Sequence, residues 1–156
     1  MTASVSLATT RPPFPLRAFV LTCLVVSIWV NASEIFRYFA FVMPMTRETL
    51  AMVPGVAPMD LTVFLAWGLW DTLLVAMTVA IYWLAAERFG EGWGIVVLAG
   101  TLSWLFFFAL FWLAMLNMNL ADTSTLAIAL PWAWLELVVA SAIARPCLWK
   151  FVQSNG

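Results

Sequence analysis

The sequence predicts an all-α integral membrane protein, in which four transmembrane helices form a bundle with short loops. Of its 156 residues, 65% are hydrophobic and only 10% are charged, whereas about 25% charged residues is usual in a soluble domain. Four apolar stretches are each long enough to cross a hydrocarbon core, which takes about 20 helical residues. Because only short turn-forming segments separate the stretches, we treat residues 1–156 as one transmembrane domain.

The first helix is expected over about residues 16–43. Two arginines and the apolar run 18–30 also resemble a cleavable signal peptide. We favour retention of this segment as a helix, because its apolar character resumes at Ile35 and continues to Met43.

The other three helices are expected over about residues 61–86, 93–118 and 126–144. The segment before residue 61 contains Pro54 and Gly55, and glycines also lie between the second and third helices. Such residues favour turns, so each break is interpreted as a loop that reverses the chain.

The orientation follows from Lys and Arg, since cytoplasmic loops carry an excess of both. Arg47 alone falls on one side of the predicted bundle. The basic residues on the other side are Arg11, Arg17, Arg88, Arg145 and Lys150. Both termini are therefore expected in the cytoplasm, with the protein in a bacterial cytoplasmic membrane.

The absence of histidine removes the commonest general base and the commonest ligand of haem, zinc and copper. No cofactor is predicted, and the lack of a catalytic signature leans against an enzyme without deciding the question. A net charge of −1 without a long basic run argues against a nucleic-acid partner. Cys23 and Cys147 show no paired spacing, and we interpret them as reduced structural thiols.

Three acidic residues, Glu34, Asp71 and Glu136, each lie deep inside a different apolar stretch. With a rise of 1.5 Å per residue, each lies about 15–16 Å from the outer end of its helix, so all three share one layer near the bilayer midplane. An ionised side chain there costs several kcal/mol, and such residues usually face the bundle interior and mark a pathway or a binding site.

Polar residues of the first helix accompany Glu34. Ser27, Asn31, Glu34 and Tyr38 follow spacings of four, three and four, which places them on one helical face. Arg37 lies one turn outward and can neutralise one carboxylate, which leaves two without a basic partner. Further polar side chains are expected to turn toward the same axis: Thr78, Ser103 and Asn117.

Three interpretations of these residues stay open. In the first, Glu34 and Arg37 form a pair within their helix, while Asp71 and Glu136 only fix neighbouring helices by hydrogen bonds. In the second, the carboxylates exchange protons or cations. In the third, they hold the polar head of a lipid, a quinone or a drug-like ligand.

Two weaker signals concern cofactors. Thioethers suit Cu(I), so methionines near the outer side are a candidate copper site, although apolar packing is the commoner role: Met43, Met45, Met115 and Met118. The aromatic run 104–112 suits a pocket for a pigment or a quinone, although lipid and helix contact explains such runs more often.

We expect proton- or cation-linked transport or conduction, with the three carboxylates as exchanging groups and Arg37 as their counter-charge. The alternative, of almost equal weight, is a non-catalytic accessory subunit of a larger membrane complex. An intramembrane enzyme or a copper-handling protein is a third hypothesis. Because so small a bundle has little room to enclose a solute path, we expect a homo-oligomer or a membrane-complex partner within the lipid bilayer.

Overall fold

The computed structural model describes residues 14–153, apart from the side chain of Glu48. These residues form helices and turns, with no strand among them. Arg11, on which part of the expected orientation depends, lies outside the described residues. Four helical spans are long and apolar enough to cross a membrane: Leu16–Arg47, Leu61–Phe89, Trp93–Asn117 and Thr123–Gln153. The all-helical fold class and the number of membrane-length helices are therefore as the sequence predicts.

Two of the four spans contain a short π-helical segment, in which the turn is wider than in an α-helix. The first span comprises α1 (Leu16–Arg37), π1 (Tyr38–Val42) and the beginning of α2 (Met43–Ala51), which continues four residues beyond the span. The second span is α3 (Leu61–Phe89), the third is α4 (Trp93–Trp104), π2 (Leu105–Ala109) and α5 (Leu110–Asn117), and the fourth is α6 (Thr123–Gln153).

The chain reverses between successive spans, so both ends of the described chain lie at one end of the bundle. Phe14, just before α1, packs against Trp83 near the end of α3, with ring centroids 4.8 Å apart. We call this the terminal end. The opposite end, which holds the connections 52–60 and 118–122, is called the far end.

The first helix extends beyond Met43, where the sequence pattern ends it, and continues to Ala51. Pro44 lies in the first turn of α2, immediately after π1. A proline lacks the backbone N–H that an α-helix requires. Because the wide turn of π1 already shifts the hydrogen-bond register, Pro44 does not end the helix.

Both ends of α3 have local causes. The Asp60 carboxylate accepts a hydrogen bond from the Val63 N–H at 2.9 Å and caps the start of the helix. Gly90, at φ +83°, ends it in a conformation that glycine adopts without strain. The helix therefore runs three residues past Ala86, the predicted end.

The fourth helix is also longer than expected. It continues from Ala144 through Pro146 to Gln153. Ala144 and Leu148 are fully buried, so packing of this last stretch offsets the local cost of the proline.

Helix α6 is the centre of the packing and contacts α1, α3 and α4. Its buried face includes four alanines: Ala129, Ala133, Ala140 and Ala144. Where α4 meets α6, a Cβ added to Gly100 would lie only 2.6 Å from the Val138 Cα. Small residues thus let the backbones approach closely, as they do between membrane helices. We call this α1–α6–α4 contact the α6 seam.

Large apolar side chains point away from the bundle on all four spans. Ile28, for example, is 74% exposed. The same holds for Leu24, Leu65, Leu69, Phe106, Leu113 and Leu135. So extensive an apolar surface is unfavourable in water, and it fits contact with lipid.

Candidate functional site

The buried face of α1 is not the polar stripe expected from the sequence, but the neighbouring one. Val26, Val30, Ser33 and Arg37 are buried, at spacings of four, three and four residues. Ser27, Asn31, Glu34 and Tyr38 are half-buried and border that face. Glu34 therefore lies at the edge of the helix interface, with Arg37 one turn away inside it.

Glu34 and Arg37 form an ion pair within the first span. Arg37 is only 4% exposed, and its guanidinium carbon lies 4.6 Å from the centroid of the Phe108 ring. A cation over an aromatic face is attracted by the ring quadrupole. Arg37 thus has its charge matched by Glu34 and its guanidinium held against π2.

Glu136 lies in the α6 seam and is 1% exposed. Its carboxylate accepts a hydrogen bond from the Ser33 hydroxyl at 2.5 Å. Ser33 Oγ in turn accepts one from the Trp132 indole at 3.1 Å, while the Trp29 indole donates to the Glu136 backbone carbonyl at 3.0 Å. These three bonds fix the position of Glu136 between α1 and α6.

The carboxyl groups of Glu34 and Glu136 lie close enough for the charge of Glu34 to act on Glu136. Glu34 Oε1 and Glu136 Oε1 are buried, and neither receives a hydrogen bond from a donor among residues 14–153. An ionised carboxylate only accepts hydrogen bonds, so a bond between the two groups requires a proton on one of them.

Asp71, on α3, is the acid without a fixed partner. It is 8% exposed, and none of the hydrogen bonds of the described chain involves its side chain. The charges of Glu34 and Arg37 both act on it. Together with Glu136, these residues make a group of three carboxyls around one guanidinium, which we call the carboxylate cluster.

A cavity of about 310 Å³ lies against this cluster. Its polar lining comes from Asn31, Glu34, Arg37, Tyr38, Thr46 and Asp71. The rest of the lining is mainly aromatic and apolar, and extends toward the far end: Phe39, Val42, Leu50, Met59, Phe64, Trp67, Trp70, Phe107, Phe108, Phe111, Trp112 and Met115. The cavity is therefore amphipathic, with charged groups at its floor and rings in its walls.

Both π-helical segments contribute to the cavity wall. Tyr38 and Phe39 come from π1, whereas Phe107 and Phe108 come from π2. Single π turns inside longer helices are rare and frequently occur at functional sites. Here they lie on two spans on either side of the same space.

Some of the predicted polar residues lie apart from the cluster. The Ser27 hydroxyl accepts a hydrogen bond from the Asn31 side-chain amide at 2.9 Å, within one helical turn. Thr78 is buried about 10 Å along α3 from Asp71. Ser103 is also buried, but Asn117 is exposed at the end of α5.

The four predicted methionines differ in their surroundings. Met115 lines the cavity, Met43 and Met45 are half-buried, and Met118 is exposed. Within residues 14–153, no group of three or more Cys, Asp and Glu side chains is arranged to hold a metal ion.

Several residues of the site carry no sequence signal of their own. Ser33 lies directly before Glu34, but its role depends on a contact with α6 that spacing along α1 does not reveal. The roles of Trp132 and Phe108 likewise depend on contacts between spans, which spacing along one helix does not reveal. The buried period that Ser33 shares with Val30 and Arg37 is the one local clue.

Comparison of the chain with protein-family models, curated proteins and solved structures gives no match. Fold and site together define a small bundle of four membrane-length helices with ionisable groups buried among them. Its function is therefore argued from the site itself.

Proposed function

We propose that the protein carries out proton- or cation-linked transport or conduction, with Glu34, Asp71 and Glu136 as the exchanging carboxylates and Arg37 as their internal counter-charge. The observation that carries this proposal is that Glu34, Arg37 and Asp71, from two spans, line one cavity, and that the Glu136 carboxyl of a third span lies close to Glu34. Residues that only fixed helices together would not need to share an accessible space.

The charges of the cluster support proton or cation exchange. One guanidinium faces three carboxyls, so full ionisation would leave uncompensated negative charge among apolar helices. That charge is unfavourable unless a proton or another cation balances it. The Glu34–Glu136 pair is a natural place for a proton, because a proton shared there makes a hydrogen bond between two groups that otherwise repel each other.

The cavity extends from the carboxylate cluster toward one end of the bundle. The cavity reaches from the cluster toward the far end through Leu50 and Met59. Toward the terminal end, the interior is filled by fully buried Leu74, Val79 and Tyr82. Passage therefore requires movement of the spans or a path shared with a second copy of the chain, and we propose a homo-oligomer.

The distribution of basic residues suggests which side of the membrane the cavity faces. Arg17, Arg88, Arg145 and Lys150 belong to the terminal end, whereas Arg47 belongs to the far end. Because cytoplasmic loops carry an excess of basic residues, we propose that the terminal end faces the cytoplasm, in a bacterial cytoplasmic membrane. The cavity then opens toward the opposite face of the membrane.

The test is proton flux into proteoliposomes that contain a pH-sensitive dye. Asp71→Asn and Glu136→Gln preserve side-chain size and remove the exchangeable acid, so each is expected to abolish a pH-dependent flux. Glu87→Gln is the matched control, because Glu87 is an exposed acid on α3, about 24 Å from Asp71. The proposal fails if the flux of both cluster variants equals that of wild type.

An accessory role in a membrane complex is a second candidate. It is favoured by exposed aromatic side chains at the cavity, such as Phe39, Phe64 and Trp67, the last of which is 47% exposed. A partner helix would cover them. Purification in mild detergent is expected to retain a stoichiometric partner if this role is correct. Recovery of a homo-oligomer that supports flux without a partner would contradict it.

A further inference from the structure

The chemistry of the cavity indicates the kind of solute that it accepts. We propose that it binds an organic cation, a quaternary or protonated amine with a compact apolar body, whose charge lies beside Asp71. The inference rests on the proposed function and adds to it the substrate class.

The walls of the cavity suit such a molecule. The Trp67 and Trp70 rings are 6.4 Å apart at 75°, and the Trp70 and Phe107 rings are 5.9 Å apart at 86°. The rings therefore present both faces and edges along the wall. Aromatic faces attract quaternary ammonium groups, and the attraction is strongest where water is excluded.

The charge at the floor selects a cation rather than an anion. Arg37 is the one basic side chain of the lining, and its charge is already matched by Glu34 and covered by Phe108. Among residues 14–153, no basic side chain pairs with Asp71 in this way, and Asp71 is more than nine-tenths buried. An anion would be repelled by Glu34 and Asp71, whereas a cation gains a counter-charge.

There is also room beside Asp71. Gly68 lies one helical turn from Asp71 and lines the cavity, and a Cβ added to it meets no atom within 4 Å. A volume of about 310 Å³ is at the small end of the range of ligand pockets. The expected ligand is therefore an amine of one ring or a few branched carbons.

The test compares two probes of nearly the same shape in nanodiscs that contain the full chain. Benzyltrimethylammonium carries a permanent charge, and neopentylbenzene is its neutral isostere. Binding is measured by equilibrium dialysis with labelled probes, corrected for uptake by protein-free nanodiscs. We expect the cation to bind about tenfold or more tightly than the isostere. Equal affinity for the two would overturn the inference.

Two variants locate the site. Asp71→Asn is expected to weaken binding of the cation about tenfold, with no change for the isostere. Gly68→Leu fills the space beside Asp71 and should weaken the binding of both probes. Because Leu has a higher helix propensity than Gly, this variant keeps the test valid even if Asp71→Asn fails to fold.

Glu87→Gln is the matched control and should bind both probes as wild type does. Cation affinity that is unchanged by both Asp71→Asn and Gly68→Leu would overturn the inference.

Failure of this inference differs from failure of the proposed function. If wild type does not bind benzyltrimethylammonium but its proton flux depends on Asp71, the cavity does not accept organic cations and the carboxylates still exchange protons. If the cation binds in an Asp71-dependent way and no proton flux is seen, the binding site is supported and transport is not.

Discussion

The α6 seam and the cavity place acids of the same cluster in opposite surroundings. In the seam, Glu136 is held by a serine hydroxyl among closely packed alanines. At the cavity, Asp71 has no hydrogen bond from the described chain and lies beside open space. Glu34 belongs to both regions, because it lines the cavity and its charge acts on Glu136. Glu136 is therefore held in place by its neighbours, whereas Asp71 is available to a ligand. Glu34 lies between these two acids.

The largest effect is expected from Arg37, the counter-charge of the cluster. Arg37→Met leaves Glu34 without its partner in a buried place and should destabilise the protein by about 3–5 kcal/mol. The second change Glu34→Gln removes the uncompensated charge and is expected to restore part of that loss. The free energy of unfolding of both variants is measured in mixed detergent micelles.

Arg88→Met is the control for this experiment. Arg88 is exposed near the end of α3, so its loss should change stability by less than about 0.5 kcal/mol. If Arg37→Met and Arg88→Met lowered the stability equally, Arg37 would not be the counter-charge of the buried carboxylates.

A pair of glycine substitutions separates the two regions directly. Gly100→Ala brings a Cβ to 2.6 Å from the Val138 backbone in the seam and should destabilise the protein by about 1–3 kcal/mol. Gly68→Ala adds the same methyl group to the open space of the cavity and should stabilise α3 by about 0.5–1 kcal/mol. Thermal unfolding in detergent gives the sign of each change. Shifts of the same sign would mean that the two regions are packed alike.

Removal of one hydroxyl tests how Glu136 is held. Ser33→Ala deletes the donor to the Glu136 carboxylate and an acceptor of the Trp132 indole. The expected loss of stability is about 1–3 kcal/mol, because buried polar groups are left without partners. Ser27→Ala is the matched control, since Ser27 interacts only with Asn31 on its own helix. A double-mutant cycle of Ser33→Ala with Glu136→Gln should show coupling, and additive effects would contradict the proposed contact.

The smallest effect is expected at the start of α6. Asp122 accepts hydrogen bonds from the Ser124 hydroxyl at 2.6 Å and from the Thr125 N–H at 2.9 Å. The Ser124 bond, followed by the Thr125 N–H, lowers the pKa of this carboxyl from its ordinary value of 3.8. A lowered folded-state pKa means that the stabilisation is complete above the ordinary value and is lost as pH falls through the folded one.

Asp122→Ala should therefore lower the Tm slightly at pH 7, and the difference from wild type should shrink below pH 3.8. Tm measured against pH in detergent checks this. A constant difference across that range would show that the charge of Asp122 plays no part in capping α6.

The sequence predicts that the three acids share one layer, because depth depends only on helix length and the rise per residue, and this layer stays a prediction. The Glu34–Arg37 pair also follows from a spacing of three residues. By contrast, the contact of Ser33 with Glu136 and that of Arg37 with Phe108 cross between spans. Helix rotation decides such contacts, and α1 is rotated so that Ser33, rather than Asn31, faces α6.

The helix ends show the same limit of local signals. The sequence pattern ends the first helix at Met43 and the last at Ala144, yet both helical spans continue past these residues. Burial of Ala144 and Leu148 decides the outcome at the end of α6. The π turns are equally unpredictable, because neither Tyr38–Val42 nor Leu105–Ala109 contains a residue that requires one.

Infrared difference spectroscopy tests the central claim most directly, since it detects the carbonyl stretch of a protonated carboxyl. The account predicts a protonated-carboxyl band in wild type that shifts in D₂O, changes with pH, and disappears in Glu136→Gln but not in Glu87→Gln. A wild-type spectrum without such a band, or a band that Glu136→Gln leaves unchanged, would contradict the claim that the carboxylate cluster holds an exchangeable proton.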